Sequence, residues 1–282
     1  MFHRKDPGDI VRSNNPVLTN LPASQQQGGY GYQPQGFDNY QQGYQPQQAS
    51  DETRPMTVDD VVTKTGITLG VIILFAVINF GIALAGNPGL AMILTIVGGI
   101  GGFITVLVHS FGNKYGSKVV TLIYAAFEGL FVGGISLLFS GWTIGNENGG
   151  AIIGQAVLGT VGVFVGMLFV YKTGAIRVTP KFTRVLTGAI FGVAILALGN
   201  LIGAIFFGFN PLRDGGAIAI IFSLVCIVLA ALSFLQDFDV ADQLIRTGAP
   251  AKMAWGVALG LAVTLVWLYT EILRLLSYLQ RD

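Results

Sequence analysis

The chain has 282 residues, of which 52% are hydrophobic and only 11% are charged. Soluble domains usually carry about 25% charged residues, so the composition indicates an integral membrane protein. The net charge of +1 gives no indication of nucleic-acid binding, and the single cysteine, Cys226, excludes an internal disulfide and a CxxC metal or redox site.

The first 60 residues differ in composition from the rest. Residues 25–48 are almost entirely Gln, Gly, Tyr and Pro, which leaves too few aliphatic side chains to offset the entropy of ordering. Residues 1–19 are polar and include Arg4, Lys5 and Arg12, unlike a secretory signal peptide. We therefore predict that residues 1–60 form a disordered cytoplasmic tail, either a plain solvated extension or a segment that recruits protein partners, followed by a membrane domain over 61–282.

Seven apolar segments follow the tail, each long enough to span a bilayer, which takes about 20 residues. They are 66–86, 89–111, 119–140, 150–171, 184–209, 216–236 and 252–277. The sixth can extend to about 246, and the last can either cross the membrane or re-enter it. The sequence predicts an all-α integral membrane protein, a seven-transmembrane-helix bundle in contact with lipid.

The basic residues indicate the orientation of these spans. With the N-terminus inside, thirteen of the sixteen lysines and arginines fall in the tail or in the second, fourth and sixth connections. Only Arg213, Arg274 and Arg281 do not. Because lysine and arginine concentrate in cytoplasmic loops, we expect a multi-pass protein of the cell membrane with a cytoplasmic N-terminus.

Many of the 39 glycines lie in the apolar segments. Three pairs have the GxxxG spacing, which allows two helix backbones to approach closely. These are Gly129/Gly133, Gly162/Gly166 and Gly256/Gly260. The pattern favours tight packing within one chain, with dimerisation through the same motif as the alternative.

Five ionisable residues lie in or at the end of the apolar segments: Glu128, Asp237, Asp239, Glu271 and Arg274. A charge at the centre of a spanning helix costs about 2.5–3.5 kcal/mol on insertion scales, so such residues usually face a cavity or a partner. Each has a structural alternative: Glu128 as a hydrogen-bonded packing residue, Glu271 and Arg274 as an i, i+3 ion pair, and the two aspartates as an aqueous helix end.

Carboxylates in a bundle are suited to a path for cations, because they are both Ca²⁺ ligands and proton acceptors. If the last two helices are antiparallel, Asp237 lies opposite about residue 261, and Glu271 lies about 15 Å farther along at 1.5 Å per residue. We therefore expect separate stations along such a path, whose charge would change on protonation.

Several motifs together resemble the Bax inhibitor-1 (transmembrane Bax inhibitor motif) family, in an actinobacterial-type form. An acidic end of the sixth span, Ser233 to Leu244, precedes a Leu-Tyr-x-acid-Ile pattern within Trp267 to Leu276. Three further segments support the resemblance: Ser13-Asn-Asn-Pro-Val-Leu18, Met56-Thr-Val-Asp-Asp-Val-Val62 and Val178-Thr-Pro-Lys-Phe-Thr-Arg184.

This resemblance implies a central last helix wrapped by the others and a pH-sensitive calcium leak attributed to an acidic pair. Glu271 matches the acid of the last helix, and either Asp237 or Asp239 matches its partner. Asp239 is favoured because it follows Phe238, as the family acid follows an aromatic residue. Glu271 and Asp239 would then be ligands of a transient Ca²⁺ ion, with no resident cofactor. The chain departs from the family pattern in having Glu271 in place of aspartate, a longer spacing between the last two motifs, and no arginine between residues 66 and 111.

Other functions fit the sequence less well. It contains no HExxH or GxSxG motif, so we do not expect an enzyme. The last span has no interior lysine for a retinal Schiff base. The remaining alternative is a non-transporting protein of membrane stress or protease modulation, in which the acids only stabilise the fold.

Overall fold

The computed structural model describes residues 53–112, 115–140 and 149–280. The predicted disordered, partner-binding tail spans residues 1–60, of which residues 1–52 lie outside the described residues.

The described residues contain seven helices that are long and apolar enough to cross a membrane, which confirms the predicted fold class. They are α1 Val58–Leu84, α2 Pro88–Phe111, α3 Lys118–Ser140, α4 Gly149–Thr173, α5 Pro180–Phe207, α6 Ala217–Arg246 and α7 Ala254–Leu279. Helix α6 includes the extension to 246 that the sequence left open. Helix α7 is uninterrupted and is preceded by one 3-10 turn, Ala251–Met253.

Helix α1 begins before its apolar stretch, within residues that we assigned to the tail. Thr57 and Asp60 form a capping box: the Asp60 amide donates to Thr57 Oγ1 over 3.3 Å, and the Thr57 amide donates to Asp60 Oδ2 over 2.9 Å. Arg54 adds a 2.6 Å contact from Nη2 to Asp60 Oδ1. Such a cap satisfies amides that the first helical turn leaves free. Helix α1 thus begins three residues before residue 61, where we predicted the start of the membrane domain.

The segment before α1 is tied to the connection between α6 and α7. The Met56 amide donates to the Ala249 carbonyl, and the Ala251 amide donates to the Arg54 carbonyl, both over 2.8 Å. Lys64 Nζ donates to the carbonyl of Ala251, also over 2.8 Å. These bonds hold the beginning of α1 beside the beginning of α7.

One end of the bundle carries most of the described basic residues, and we call it the basic end. It contains the first residues of α1, α3, α5 and α7 and the last residues of α2, α4 and α6. Its basic residues are Arg54, Lys64, Lys118, Lys172, Arg177, Lys181, Arg184, Arg246 and Lys252. The opposite end includes the connection between α5 and α6, where Arg213 lies.

Helix α7 is the centre of the bundle, as the resemblance implies. It packs against α1, α3, α4 and α6, and it is the most buried of the seven spans. Helix α5 differs most from it, because it packs mainly against α6 and has only two buried residues among those described, Leu186 and Asn200. Side chains on α7 are therefore shielded from lipid by their neighbours.

Glycines allow close contact between α3 and its two neighbours. A Cβ on Gly98 would lie 2.5 Å from the Phe127 carbonyl oxygen, and one on Gly133 would overlap the Ala76 carbonyl. The Gly129/Gly133 pair thus packs α3 onto α1, as predicted. Gly162 and Gly166 have no atom within 4 Å of a Cβ position, so the prediction of packing within the described chain is wrong for this pair. Both glycines face outward from α4.

Candidate functional site

Asp237 is the acid of α6 that faces the central helix. Its Oδ2 accepts a 2.7 Å hydrogen bond from Thr264 Oγ1 on α7, and its Oδ1 lies 3.9 Å from where a Cβ on Gly260 would be. This position agrees with the antiparallel register, which places residue 261 opposite Asp237. No basic side chain lies within ion-pair distance of Asp237 in the described part of the chain. Asp237 is thus a half-buried carboxylate held only by a hydroxyl.

Tyr115 packs on α7 one turn nearer the basic end than the level of Asp237. It lies in the connection between α2 and α3, and a Cβ on Gly256 would lie 2.7 Å from its ring. Gly256 is one turn nearer the basic end than Gly260. Although 41% of Tyr115 is exposed, burial of its hydroxyl raises the pKa of Tyr115, and the negative charge of Asp237 raises it further. Its ring centroid is 5.2 Å from that of His109, which is buried.

Asp239 does not face α7. Two residues along a helix correspond to a rotation of about 200°, so Asp237 and Asp239 lie on opposite sides of α6. Asp239 Oδ2 accepts a 2.6 Å hydrogen bond from Gln243, one turn later on its own helix. The geometry therefore corrects our preference for Asp239, because Asp237 is the acid that contacts the central helix.

Near Asp239, Asp242 and Arg246 form an i, i+4 ion pair. The Asp242 Oδ2 atom lies 2.8 Å from Arg246 Nη2, and both side chains are well exposed. The Tyr171 hydroxyl of α4 also donates to this carboxylate, over 3.3 Å. This group joins α4 to α6 at the basic end and is separate from Asp237.

Glu271 and Arg274 form a buried ion pair on α7. Arg274 Nη2 donates to Glu271 Oε2, and only 6% of Glu271 and 4% of Arg274 is exposed. Arg274 Nε also donates to Ser223 Oγ on α6, over 3.4 Å. In this arrangement the charge of Glu271 is neutralised within its own helix.

A second arginine lies close to this pair. Loss of hydration lowers the pKa of Arg213, and the positive charge of Arg274 lowers it further. The Tyr278 hydroxyl donates to the Arg213 carbonyl over 3.3 Å, which joins the connection before α6 to the end of α7. The environment of Glu271 therefore contains two cations and is electropositive.

Asp237 and Glu271 occupy different levels of the bundle. Thr264, the partner of Asp237, precedes Glu271 by seven residues, which corresponds to about 10 Å along a helix. The separation is consistent with the expected separate stations. Asp239 lies on the other side of α6, where it bonds to Gln243, so its role as a Ca²⁺ ligand together with Glu271 stays a prediction. Among the described residues, no three His, Cys, Asp or Glu side chains are close enough to hold a metal ion.

Glu128 lies at the interface of α2 and α3. Its Oε2 lies 2.7 Å from where a Cβ on Gly102 would be, and Tyr124 lies one turn earlier on the same helix. Both neighbours belong to α2 and α3 rather than to α6 and α7. Glu128 is therefore a third acid in the bundle, on a different side of α3 from Gly133.

Three residues of this site were not identified from the sequence. Thr264 gave no signal of its own, although the antiparallel register places it near Asp237. Tyr115 lies in a connection, where an aromatic residue has no periodic pattern. Arg213 was counted only as a loop charge. In each case the contact depends on how neighbouring helices are rotated, which residue spacing on one segment does not reveal.

Comparison with known proteins identifies the family. No curated protein matches the chain. Residues 15–281 match the model of the family described as Bax inhibitor 1 like. The match includes all seven spans and the carboxylates of α3, α6 and α7, and the chain belongs to the Bax inhibitor-1 family.

Proposed function

We propose that the protein conducts cations, Ca²⁺ or H⁺, across the cell membrane in a pH-dependent manner, along a path beside α7. The observation that supports this most directly is the position of Asp237. A carboxylate at a helix interface in the membrane is costly, and such groups usually mark a pathway. Asp237 has a hydroxyl partner and no cationic one among the described residues, so an ionised Asp237 remains free to attract a cation.

The path has two levels. Near the basic end a cation would meet Asp237 after passing Tyr115, which packs over Gly256. Farther along it would meet Glu271, whose carboxylate is held by Arg274. In the arrangement described here both levels are closed, so conduction requires Tyr115 to move and the Glu271–Arg274 pair to open.

The pH dependence follows from the charge of Asp237. The ionised carboxylate attracts cations, and protonation removes that attraction. Ca²⁺ flux should therefore increase as the pH rises through the range in which Asp237 loses its proton. Glu128, which lies at another interface, is a further titrating group that could modulate the path.

The orientation is also part of this proposal. The basic end would face the cytoplasm, as the concentration of lysine and arginine favours, and the N-terminus would be cytoplasmic. Cation conduction requires no covalent chemistry and no resident cofactor. Protein partners would bind the tail.

The test is Ca²⁺ flux into proteoliposomes at several pH values with two matched variants. Asp237→Asn should lower the flux and flatten its pH profile, because the amide keeps the shape but cannot ionise. Asp239→Asn, two residues away on the opposite face of α6, should behave as the parent. Equal effects of the two substitutions, or no flux by the parent, would contradict the proposed path.

The main alternative is a protein that does not transport. One observation favours it: Glu271 is neutralised by Arg274 inside the bundle, as a purely structural pair would be. Under this alternative, substituting Asp237 or Glu271 would change thermal stability and leave the ion permeability of the vesicles at the background level.

A further inference from the structure

A groove on the membrane-facing side of the bundle reaches down to the central helix. Helix α1 packs on α2, α3 and α7, and α4 packs on α3, α6 and α7, so a gap remains between α1 and α4. The gap has a volume of about 430 Å³. Ile73 and Val77 form one wall, Val157 and Val161 the other, and Val266 and Tyr269 of α7 lie at the bottom.

The polar atoms at the bottom of the groove are already paired. The hydroxyls of Ser136 and Tyr269 bond to each other over 2.8 Å. Thr160 Oγ1 donates to the Ala156 carbonyl over 2.8 Å. A water molecule or a polar ligand would therefore find few partners there. An apolar occupant would gain dispersion contacts that an empty groove forfeits.

The surroundings of the groove decide the kind of apolar occupant. All of its walls belong to membrane-spanning helices, so it is continuous with the lipid-facing surface of the bundle. Along α1 it extends from Leu69 to Phe80, which is about 16 Å at 1.5 Å per residue. One leaflet of a bilayer has a hydrocarbon depth of about 15 Å, half of the core thickness. The length of the groove thus matches one acyl chain.

We propose that this groove binds one acyl chain of a membrane phospholipid, which completes the wall around α7 between α1 and α4. The chain would lie over Val266 and Tyr269, in the gap between α1 and α4. This proposal does not depend on cation conduction.

The test uses photo-crosslinking of the full chain in vesicles of phosphatidylethanolamine and phosphatidylglycerol that contain a trace of phospholipid with a diazirine on its acyl chain. Crosslinked peptides should be concentrated in 69–80 and 153–161, above the level on the exposed face of α5 around Ile205. Labelling of the groove equal to that around Ile205 would overturn the proposal.

A matched pair of substitutions on α1 tests the location. Ile73→Trp fills the groove, whereas Leu74→Trp adds the same side chain to the neighbouring exposed residue outside it. Ile73→Trp should lower labelling of the groove about tenfold, which corresponds to a loss of 1.4 kcal/mol in binding free energy. Leu74→Trp should leave it unchanged. Equal labelling of the two variants would overturn the proposal.

If Ile73→Trp does not fold, Val161→Trp and its exposed neighbour Leu158→Trp repeat the comparison on α4. Native mass spectrometry of protein purified in mild detergent identifies the occupant. One retained phospholipid per chain, lost in the groove-filling variant, supports the proposal. Retention of a free fatty acid or of detergent alone at this site would contradict it.

Discussion

Thr264 on α7 donates a 2.7 Å hydrogen bond to the carboxylate of Asp237 on α6. The bond places the acid at the central helix, about 10 Å from the level of Glu271. It also joins two helices that share an apolar cluster, which includes Phe234, Leu261 and Leu268.

Thr264→Val should destabilise the protein, because it keeps the side-chain shape but leaves the Asp237 carboxylate without its donor. Loss of a partner by a buried polar group costs about 1–3 kcal/mol. Thermal unfolding in detergent measures the loss. Thr270→Val is the control, because Thr270 bonds only to the carbonyl of Trp267 in its own helix. A smaller effect of Thr264→Val than of the control would contradict the structural role of this bond.

Gly256→Ala should displace Tyr115 and increase the leak. The added Cβ would lie 2.7 Å from the Tyr115 ring, so the ring has to move away from the entrance to Asp237. We expect higher cation flux in proteoliposomes, together with a modest loss of stability from overpacking, about 1–3 kcal/mol. Gly162→Ala is the matched control on α4, where a Cβ meets no atom within 4 Å. If both variants leak alike, Tyr115 does not limit the flux.

The environment of Tyr115 predicts that alkaline pH destabilises the protein. Tyrosines of an unfolded chain titrate near pH 10. Because the pKa of Tyr115 is raised in the folded protein, Tyr115 keeps its phenol proton to a higher pH there. The contribution of protonated Tyr115 to the free energy of unfolding is therefore fully present below about pH 10. It is lost as the pH rises through the higher pKa that Tyr115 has in the folded protein. Tyr115→Phe should therefore reduce the fall in melting temperature above about pH 10. If the melting temperature of Tyr115→Phe falls as much as that of the parent, Tyr115 does not contribute to the loss of stability at alkaline pH.

Hydropathy was sufficient for the spans, because an apolar stretch of about 20 residues has few alternatives in a membrane protein. It could not place the beginning of α1, since the polar turns around Asp60 are stabilised by a capping box and by Arg54 rather than by burial. The Glu271–Arg274 pair was predictable from its i, i+3 spacing within one helix. The partner of Asp237 was not, because it depends on the rotation of α6 against α7.

The choice between Asp237 and Asp239 illustrates the same limit. Preceding aromatic residues made Asp239 the better match to the family motif, yet a motif carries no information about which side of α6 packs on α7. The buried residues Phe234, Phe238 and Ala241 mark the packed side of this helix at helical spacing. Asp237 lies at the edge of that side nearest α7, next to Gly260 and Thr264.

The orientation of the bundle can be tested with introduced cysteines, since the native Cys226 is buried. Ile176→Cys lies in the connection between α4 and α5 at the basic end, and Asp214→Cys lies in the next connection, at the opposite end. An impermeant maleimide added to intact cells should label only the cysteine at 214. Labelling at 176 and protection at 214 would reverse the proposed topology.

Substitutions of Glu271 distinguish a role in transport from a purely structural role. Glu271→Gln leaves the Arg274 guanidinium buried without its carboxylate and near Arg213, and breaking a buried ion pair in this way costs about 3–5 kcal/mol. The exposed pair of Asp242 and Arg246 is the matched control: Asp242→Asn should cost about 1 kcal/mol or less. Thermal unfolding in detergent measures both.

The double substitution Glu271→Gln with Arg274→Met should recover most of the lost stability, because no unpaired charge remains in the bundle. Flux measurements on this stable variant then decide the role of the acid. If Glu271 is a station in the path, the variant should conduct less than the parent and with a flatter pH profile between about pH 5 and 8. If flux and pH profile remain those of the parent, the pair only stabilises α7 against α6, and the conducting path depends on Asp237 without Glu271.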